Sequence, residues 1–240
     1  MTKPLAEPVG AMILAAGRGE RMRPLSDTTP KPLLEVHGKR LIEWHLEALA
    51  AGGVREIVVN TDWLEEHIIA TIGDGARFGV AVTYSREGRD HGGALETAGG
   101  IAKALPLLGD AFWIVSADVW APEFRFVAGE AARFVASGRL AHLWLVPNPS
   151  FHPRGDFGLD DDGLGLAEGT GPDGVRWTYA NIALARARMF NRIVPGTHAP
   201  LAPLLYAGMR ERRISAEIYR GRWENVGTPE QLAALNAASR

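Results

Sequence analysis

Short apolar runs recur along the chain, and between them lie stretches with the spacing of amphipathic helices. Met12–Ala16 (MILAA), Glu56–Asn60 (EIVVN) and Phe112–Ser116 (FWIVS) are apolar at nearly every position. Such a strand must be covered on both faces, and intervening helices supply the cover, so the alternation points to an α/β sheet. Between the first two runs, Leu41, Ile42, His45, Leu46 and Leu49 keep helical spacing, and Gly52-Gly53 marks the stop. The same reading predicts helices over Trp63–Ile72, Pro122–Ala136, Pro200–Arg212 and Pro229–Ala238. It predicts further strands over Val80–Ser85, Ala141–Val146, Val175–Leu184 and Ile214–Tyr219. Dense Asp and Gly from Asp156 to Gly174 predict hairpins and turns rather than a linker. A length of 240 residues then suits one large domain better than two small ones.

The first apolar run breaks into Gly17-Arg18-Gly19, presents Arg21 and Arg23, and closes on Thr29-Pro30-Lys31-Pro32. Glycines let backbone N–H groups approach phosphate oxygens, and guanidinium and ammonium groups neutralise the charge, so this turn suits a polyphosphate. Two rival readings fail on the letters. A dinucleotide fingerprint needs a small third residue where Met22 stands, and no G-x-x-x-x-G-K-[ST] run occurs. Arg23 is open between a phosphate contact and a salt bridge. Lys31 sits between two prolines that fix the local backbone, one of only four lysines, with Lys3, Lys39 and Lys103.

Bulk properties exclude other classes. A formal net charge of −2 argues against a general nucleic-acid binder. With no cysteine, disulfides and thiolate metal sites are excluded, and a reducing cytoplasm is expected. No apolar run reaches 18 residues, and Met1–Gly10 lacks the apolar core of a signal peptide, so no membrane partner is expected. The histidines show no metal-site spacing, and the Asp160–Gly163 run fails as a calcium loop because its last ligand position falls on Gly169. Asp118 follows FWIVS by two residues, so its carboxylate emerges at the carboxyl end of a buried strand, where open α/β sheets bind ligands. A hard oxygen there suits Mg²⁺ beside phosphate oxygens; the alternative is a helix cap ahead of Pro122.

Leu14–Gly17, Gly19, Arg21, Met22, Pro24, Leu25 and Pro30-Lys31-Pro32 together resemble the opening motif of the sugar-1-phosphate nucleotidyltransferases. The likeness continues through Leu95–Gly100, Ser116–Trp120 and Trp223–Pro229. Within the family, residues 19–25, 103–110, 118–120, 148–149, 154–157 and 219–223 look most like members that join N-acetylmuramate 1-phosphate to UTP in cell-wall recycling. The resemblance implies a three-layer, Rossmann-like nucleotidyltransferase fold with a mixed central sheet. It implies a nucleotide-binding half over about 10–120 and a sugar-binding half over about 121–240 of a single domain, with small-molecule substrates and a monomer or small homo-oligomer.

Site roles follow from the same likeness. Arg21, Lys31 and Asp118 would carry catalysis, with Arg21 on the β/γ phosphates and Lys31 near the α-phosphate and the incoming sugar phosphate. Ala16, Gly17, Gly19 and Glu20 would complete the nucleotide site, and Glu87, Thr97 and Gly99 would meet the base. Trp120, Arg154, Asp156 and Asn181 would face the sugar, although core packing is also a reading for Trp120, and turn capping remains an equal reading for Asp156 and nearly so for Asn181. Asp118 and Asn225 would hold Mg²⁺. Two departures stand out. Asn225 occupies a position where the family usually has aspartate, and no Glu-Lys pair is present to grip the sugar phosphate, which leaves Arg154 as substitute. Glu87 also suits guanine, so a mannose-1-phosphate guanylyltransferase is the runner-up, and a sugar-nucleotide-binding regulator without turnover is the third reading.

Overall fold

The run Gly10–Leu14 forms β1 and lies near the middle of a seven-stranded sheet. The computed structural model describes residues 9–238; residues 1–8, which carry most of the segment read for a leader, and 239–240 lie outside the described residues. The other strands are β2 Glu56–Thr61, β3 Ala81–Arg86, β4 Ala111–Ser116, β5 Ala141–Val146, β6 Thr178–Arg186 and β7 Ile214–Ile218. Their spatial order is β7-β5-β6-β4-β1-β2-β3. β1 pairs in parallel with β2 and β4, while β6 runs antiparallel to both β4 and β5, which makes the sheet mixed.

Both faces are covered, as the continuous apolar runs require. Ile13, Val59 and Trp113 pack on one side with Ile42, Leu46 and Leu49 of α1 (Leu41–Ala51), Ile68 of α2 (Glu65–Ile72) and Phe134 of the helix Ala128–Ser137. Met12, Val58, Phe112 and Ile114 pack on the other with Ile101 of the helix Glu96–Ala104 and Leu205 and Met209 of the helix Ala202–Arg210. In chain order, Glu87–His91 is α3, Glu96–Ala104 α4, Ala128–Ser137 α5, Ala202–Arg210 α6 and Pro229–Ala237 α7.

Two elements differ from expectation. The helix predicted from Pro122 begins only at Ala128, because Phe124 and Phe126 turn inward and meet Trp113 edge-on, Phe126 at 5.1 Å between ring centres. The segment after Leu95 is helical although it contains Gly99-Gly100, each normally unfavourable in a helix interior. Both glycines are dictated by crowding. A Cβ on Gly99 would lie 2.3 Å from the Thr197 carbonyl oxygen, and one on Gly100 2.4 Å from Glu87 Oε1.

His45 on α1 and His142 on β5 are both pushed down to about 4, chiefly by burial. His45 remains neutral and bonds the Val119 carbonyl at 2.8 Å, a packing role rather than a ligand's. A ring that charges near 6.5 unfolded but only near 4 folded leaves the unfolded chain binding more protons across that window. Stability is therefore full above about pH 6.5 and declines as pH falls toward 4, by on the order of several kcal/mol for the two rings. Urea midpoints measured between pH 7.5 and 4.5 should fall accordingly, and a flat series would contradict this assignment.

Candidate active site

The register places Leu14 of β1 beside Asn60 of β2 and Ser116 of β4, so three strand ends open at one level. The chain then leaves β1 through the glycine turn. Gly19 takes a left-handed φ of 67°, and a Cβ there would press on Lys31 Cβ at 3.3 Å. The turn is braced from outside. Ser26 Oγ donates to the Gly19 carbonyl at 2.7 Å, Trp63 Nε1 donates to the Ser26 carbonyl at 2.8 Å, and the Arg18 guanidinium stacks over Trp63. Arg23 resolves as a salt bridge to Asp27 on the exposed side, next to the cis Arg23–Pro24 bond.

A cavity of about 680 Å³ opens over these strand ends. Ala16, Gly17, Gly19, Glu20, Arg21, Lys31, Thr97 and Asp118 all line it. Lys31 is 8% exposed and donates to Asp118 Oδ2 at 2.7 Å. Burial pushes the Asp118 carboxyl up, but the Lys31 ammonium and the Ser116 hydroxyl outweigh it and hold the group below its ordinary value. Arg21 has no ion pair or hydrogen bond among the described residues. Its guanidinium reaches the closing turn, where a Cβ on Gly227 would stand 3.7 Å from it.

Asp118 and Asn225 meet through a short antiparallel ribbon that pairs Val119 with Asn225, and the Val226 amide donates to the Asp118 carbonyl at 2.9 Å. Asp118 Oδ1 and Asn225 Oδ1 are buried and have no hydrogen-bond partner. Orphaned buried oxygens normally find a donor, so two of them on neighbouring residues fit a hard divalent cation. Among the described residues no group of three His, Asp or Glu is placed to hold a metal alone, so such an ion would draw its other ligands from phosphate and water.

A second cavity of about 430 Å³ adjoins the first and shares Leu14, Thr97 and Ser116 with it. Asp156, Asn181 and Asn225 line it. Asn181 sits at a register shift in β6 with a left-handed φ of 57°, and Asp156 accepts from the Tyr179 amide at 2.8 Å and from His152 Nε2 at 3.0 Å.

Four expected site residues stand elsewhere or do something else. Trp120 lines neither cavity; it is buried with Met22, Leu41 and Val226 and packs against Trp44 and His37. Arg154 is exposed and lines neither cavity. Gly99 lies off both cavities, because the Ala199 carbonyl takes the Ala98 and Gly99 amides at 2.9 and 3.0 Å. Glu87 borders the first cavity, yet both its oxygens are engaged internally. Oε1 accepts from Asn60 Nδ2 and Oε2 from the Leu95 amide, each at 2.7 Å, and burial pushes its carboxyl up. Asn60 Oδ1 in turn accepts the Ala15 amide at 2.8 Å, so one buried chain of bonds ties the phosphate turn to the start of α4.

Sequence reasoning missed Asn60, Glu96 and His198. Asn60 follows the apolar Ile57–Val59 within β2, and that interruption was its only signal. Glu96 and His198 line the first cavity, Glu96 with a left-handed φ of 62°. Glu96 falls within the Leu95–Gly100 segment that carries the resemblance, whereas no local pattern marks His198.

A glycine turn followed by Arg21 and Lys31, a carboxylate beyond a central strand end and a two-part groove over a mixed sheet suit nucleotidyl transfer. The chain belongs to the nucleotidyl transferase family, whose pattern matches residues 10–140. A protein of Neisseria meningitidis serogroup B named N-acetylmuramate alpha-1-phosphate uridylyltransferase is 48% identical to this chain, over 95% of it and 96% of the relative. A protein of the same name from Caulobacter vibrioides is 32% identical over 95% of both chains. A crystal structure assigned as a glucose-1-phosphate thymidylyltransferase of Bacillus anthracis superposes with a TM-score of 0.79, covering 95% of this chain and 94% of that one at 18% identity. That last likeness is one of fold.

Proposed function

We propose that this chain is a Mg²⁺-dependent uridylyltransferase that joins UTP to N-acetylmuramate 1-phosphate, giving the UDP-sugar and pyrophosphate. It would work in the cytoplasm, in the recycling of cell-wall sugars. Residues of about 10–120 would hold the nucleotide and residues of about 121–240 most of the sugar, within one domain. The observation that carries the reading is the convergence of Arg21, Lys31 and Asp118 on one cavity that opens directly into a second. The family and the two relatives of like name support the choice of substrates.

In this reaction an oxygen of the sugar phosphate attacks the α-phosphorus of UTP, and the bond to the β-phosphate oxygen breaks as pyrophosphate leaves. Nucleophile and leaving group are both anionic, so the protein's work is alignment and charge stabilisation. Arg21 would hold the departing β/γ phosphates beneath the Gly17–Gly19 turn. Lys31 would face the α-phosphate and the incoming phosphate. Asp118 and Asn225 would hold Mg²⁺, which when bound neutralises charge on the triphosphate. With Glu87 occupied by Asn60 and Leu95, the motive for guanine recognition is weakened.

The test is pyrophosphate release with Mg²⁺ from UTP, GTP and dTTP against N-acetylmuramate, N-acetylglucosamine, glucose and mannose 1-phosphates. Fastest turnover of UTP with the muramyl substrate is expected. Preference for GTP with mannose 1-phosphate would overturn the assignment. Nucleotide binding without turnover would favour the regulator reading, which the uncharged Asn225 motivates. Asn225→Asp adds a full negative charge beside Asp118 and should tighten binding of Mn²⁺ by about tenfold. Mn²⁺ titration followed by electron paramagnetic resonance reads this directly, and unchanged affinity would place Asn225 outside the metal's shell.

A further inference from the structure

N-acetylmuramate differs from N-acetylglucosamine by a lactyl ether that carries a carboxylate, so a cation or hydrogen-bond donor beside the sugar would let an enzyme select it. Among the described residues no lysine or arginine lines the second cavity, and His152 is its basic side chain. We propose that His152 is the residue that reads the substrate's carboxylate, an inference that rests on the functional reading above. The ring is built into place. The His152 amide donates to the Pro149 carbonyl at 2.9 Å, and the Gly155 amide donates to the His152 carbonyl at 3.3 Å. Its Nε2 meets Asp156 Oδ1 at 3.0 Å, and the other oxygen of Asp156 is fixed by the Tyr179 amide at 2.8 Å. Nδ1 has no protein partner among the described residues. It is therefore the nitrogen left to donate to a second carboxylate. The lactyl and acetamido methyls have an apolar wall in Phe151, Phe157, Leu201 and Leu205.

Asp156 gives the arrangement its discriminating power. Without His152, its carboxylate would face the substrate's own, and like charges brought together in a partly enclosed site repel. A neutral sugar hydroxyl suffers no such repulsion and donates to Asp156 instead. Loss of the imidazole should thus shift preference between the two sugars rather than weaken both.

The experiment measures kcat/KM for N-acetylmuramate 1-phosphate and N-acetylglucosamine 1-phosphate with UTP held constant, in wild type, His152→Ala, His152→Gln, His152→Arg and Arg154→Ala. His152→Ala should lower the muramyl-to-glucosaminyl ratio by about 10- to 100-fold, carried by KM for the muramyl substrate. His152→Gln should show the same direction of change, which keeps the test decisive should the alanine variant misfold. His152→Arg should recover most of the ratio. An unchanged ratio in the Ala and Gln variants, an equal loss on both sugars, or a loss seen with Arg154→Ala alone would overturn the assignment. A wild type that rejects the muramyl substrate would overturn the functional reading and this one with it, whereas a wild type that uses it while His152→Ala keeps the ratio would overturn this one alone.

Discussion

Asp118→Ala is expected to lower turnover by about 10³-fold or more while the protein stays folded. The carboxylate sits in the turn between β4 and the short Val119–Trp120 ribbon, and its side chain is 26% exposed. Its removal therefore empties space that already opens to solvent and leaves the strand core untouched. The loss falls on the chemistry: one of two buried oxygens without a donor disappears, and with it the charged half of the proposed metal seat. Lys31 would also lose the partner that aims it. Far-ultraviolet circular dichroism should overlay that of the wild type, and nucleotide affinity measured without metal should change little. A variant retaining more than a tenth of wild-type turnover would refute the role given to this carboxylate.

Lys31→Met is expected to act on both activity and stability. The ammonium is largely enclosed and holds Asp118 at 2.7 Å, so its loss strands a carboxylate in the crevice. Stability should fall by about 1–3 kcal/mol, below the cost of a fully enclosed broken pair because water reaches Asp118. Turnover should fall by about 10²- to 10³-fold, since no other lysine lines the first cavity to meet the two converging phosphates. The double variant Lys31→Met/Asp118→Asn separates the effects. It should regain most of the stability, because no uncompensated charge remains, yet none of the activity. Chemical denaturation and pyrophosphate release together read the cycle, and additive stability losses would contradict a direct pair.

What could be read in the letters was whatever short-range chemistry fixes. Gly19, Arg21 and Lys31 lie on the segment that leaves one apolar strand, and Asp118 follows another, so their convergence at the strand ends was foreseeable before any coordinate. The mixed sheet's strands were legible for the same reason: runs such as FWIVS have nowhere to go but between two helical layers. Trp120 could be read either as packing or as a sugar contact, and the sequence did not decide between them. It lies two residues past Asp118, but Trp44 and Val226, distant in sequence, decide that it packs away from the groove. Gly99 misled because a small residue beside a flat base and a small residue beneath a crossing loop look identical in a sequence. Only the Thr197 and Ala199 carbonyls distinguish them. Asn60 carried only the break it makes in an apolar run, since its partners Ala15 and Glu87 lie tens of positions away, and His198 carried no pattern at all.

The paired glycines of α4 leave a mark on how this molecule yields to heat. A helix with two such residues side by side has little tendency to stand by itself, and about 1 kcal/mol is forfeited at each relative to alanine. Its stiffness comes from the Ala199 carbonyl above and the Glu87 carboxylate below. Warming that loosens either support should fray this wall of the groove while the strands behind it remain paired, so the capacity to grip a nucleotide would fade before the fold itself is lost.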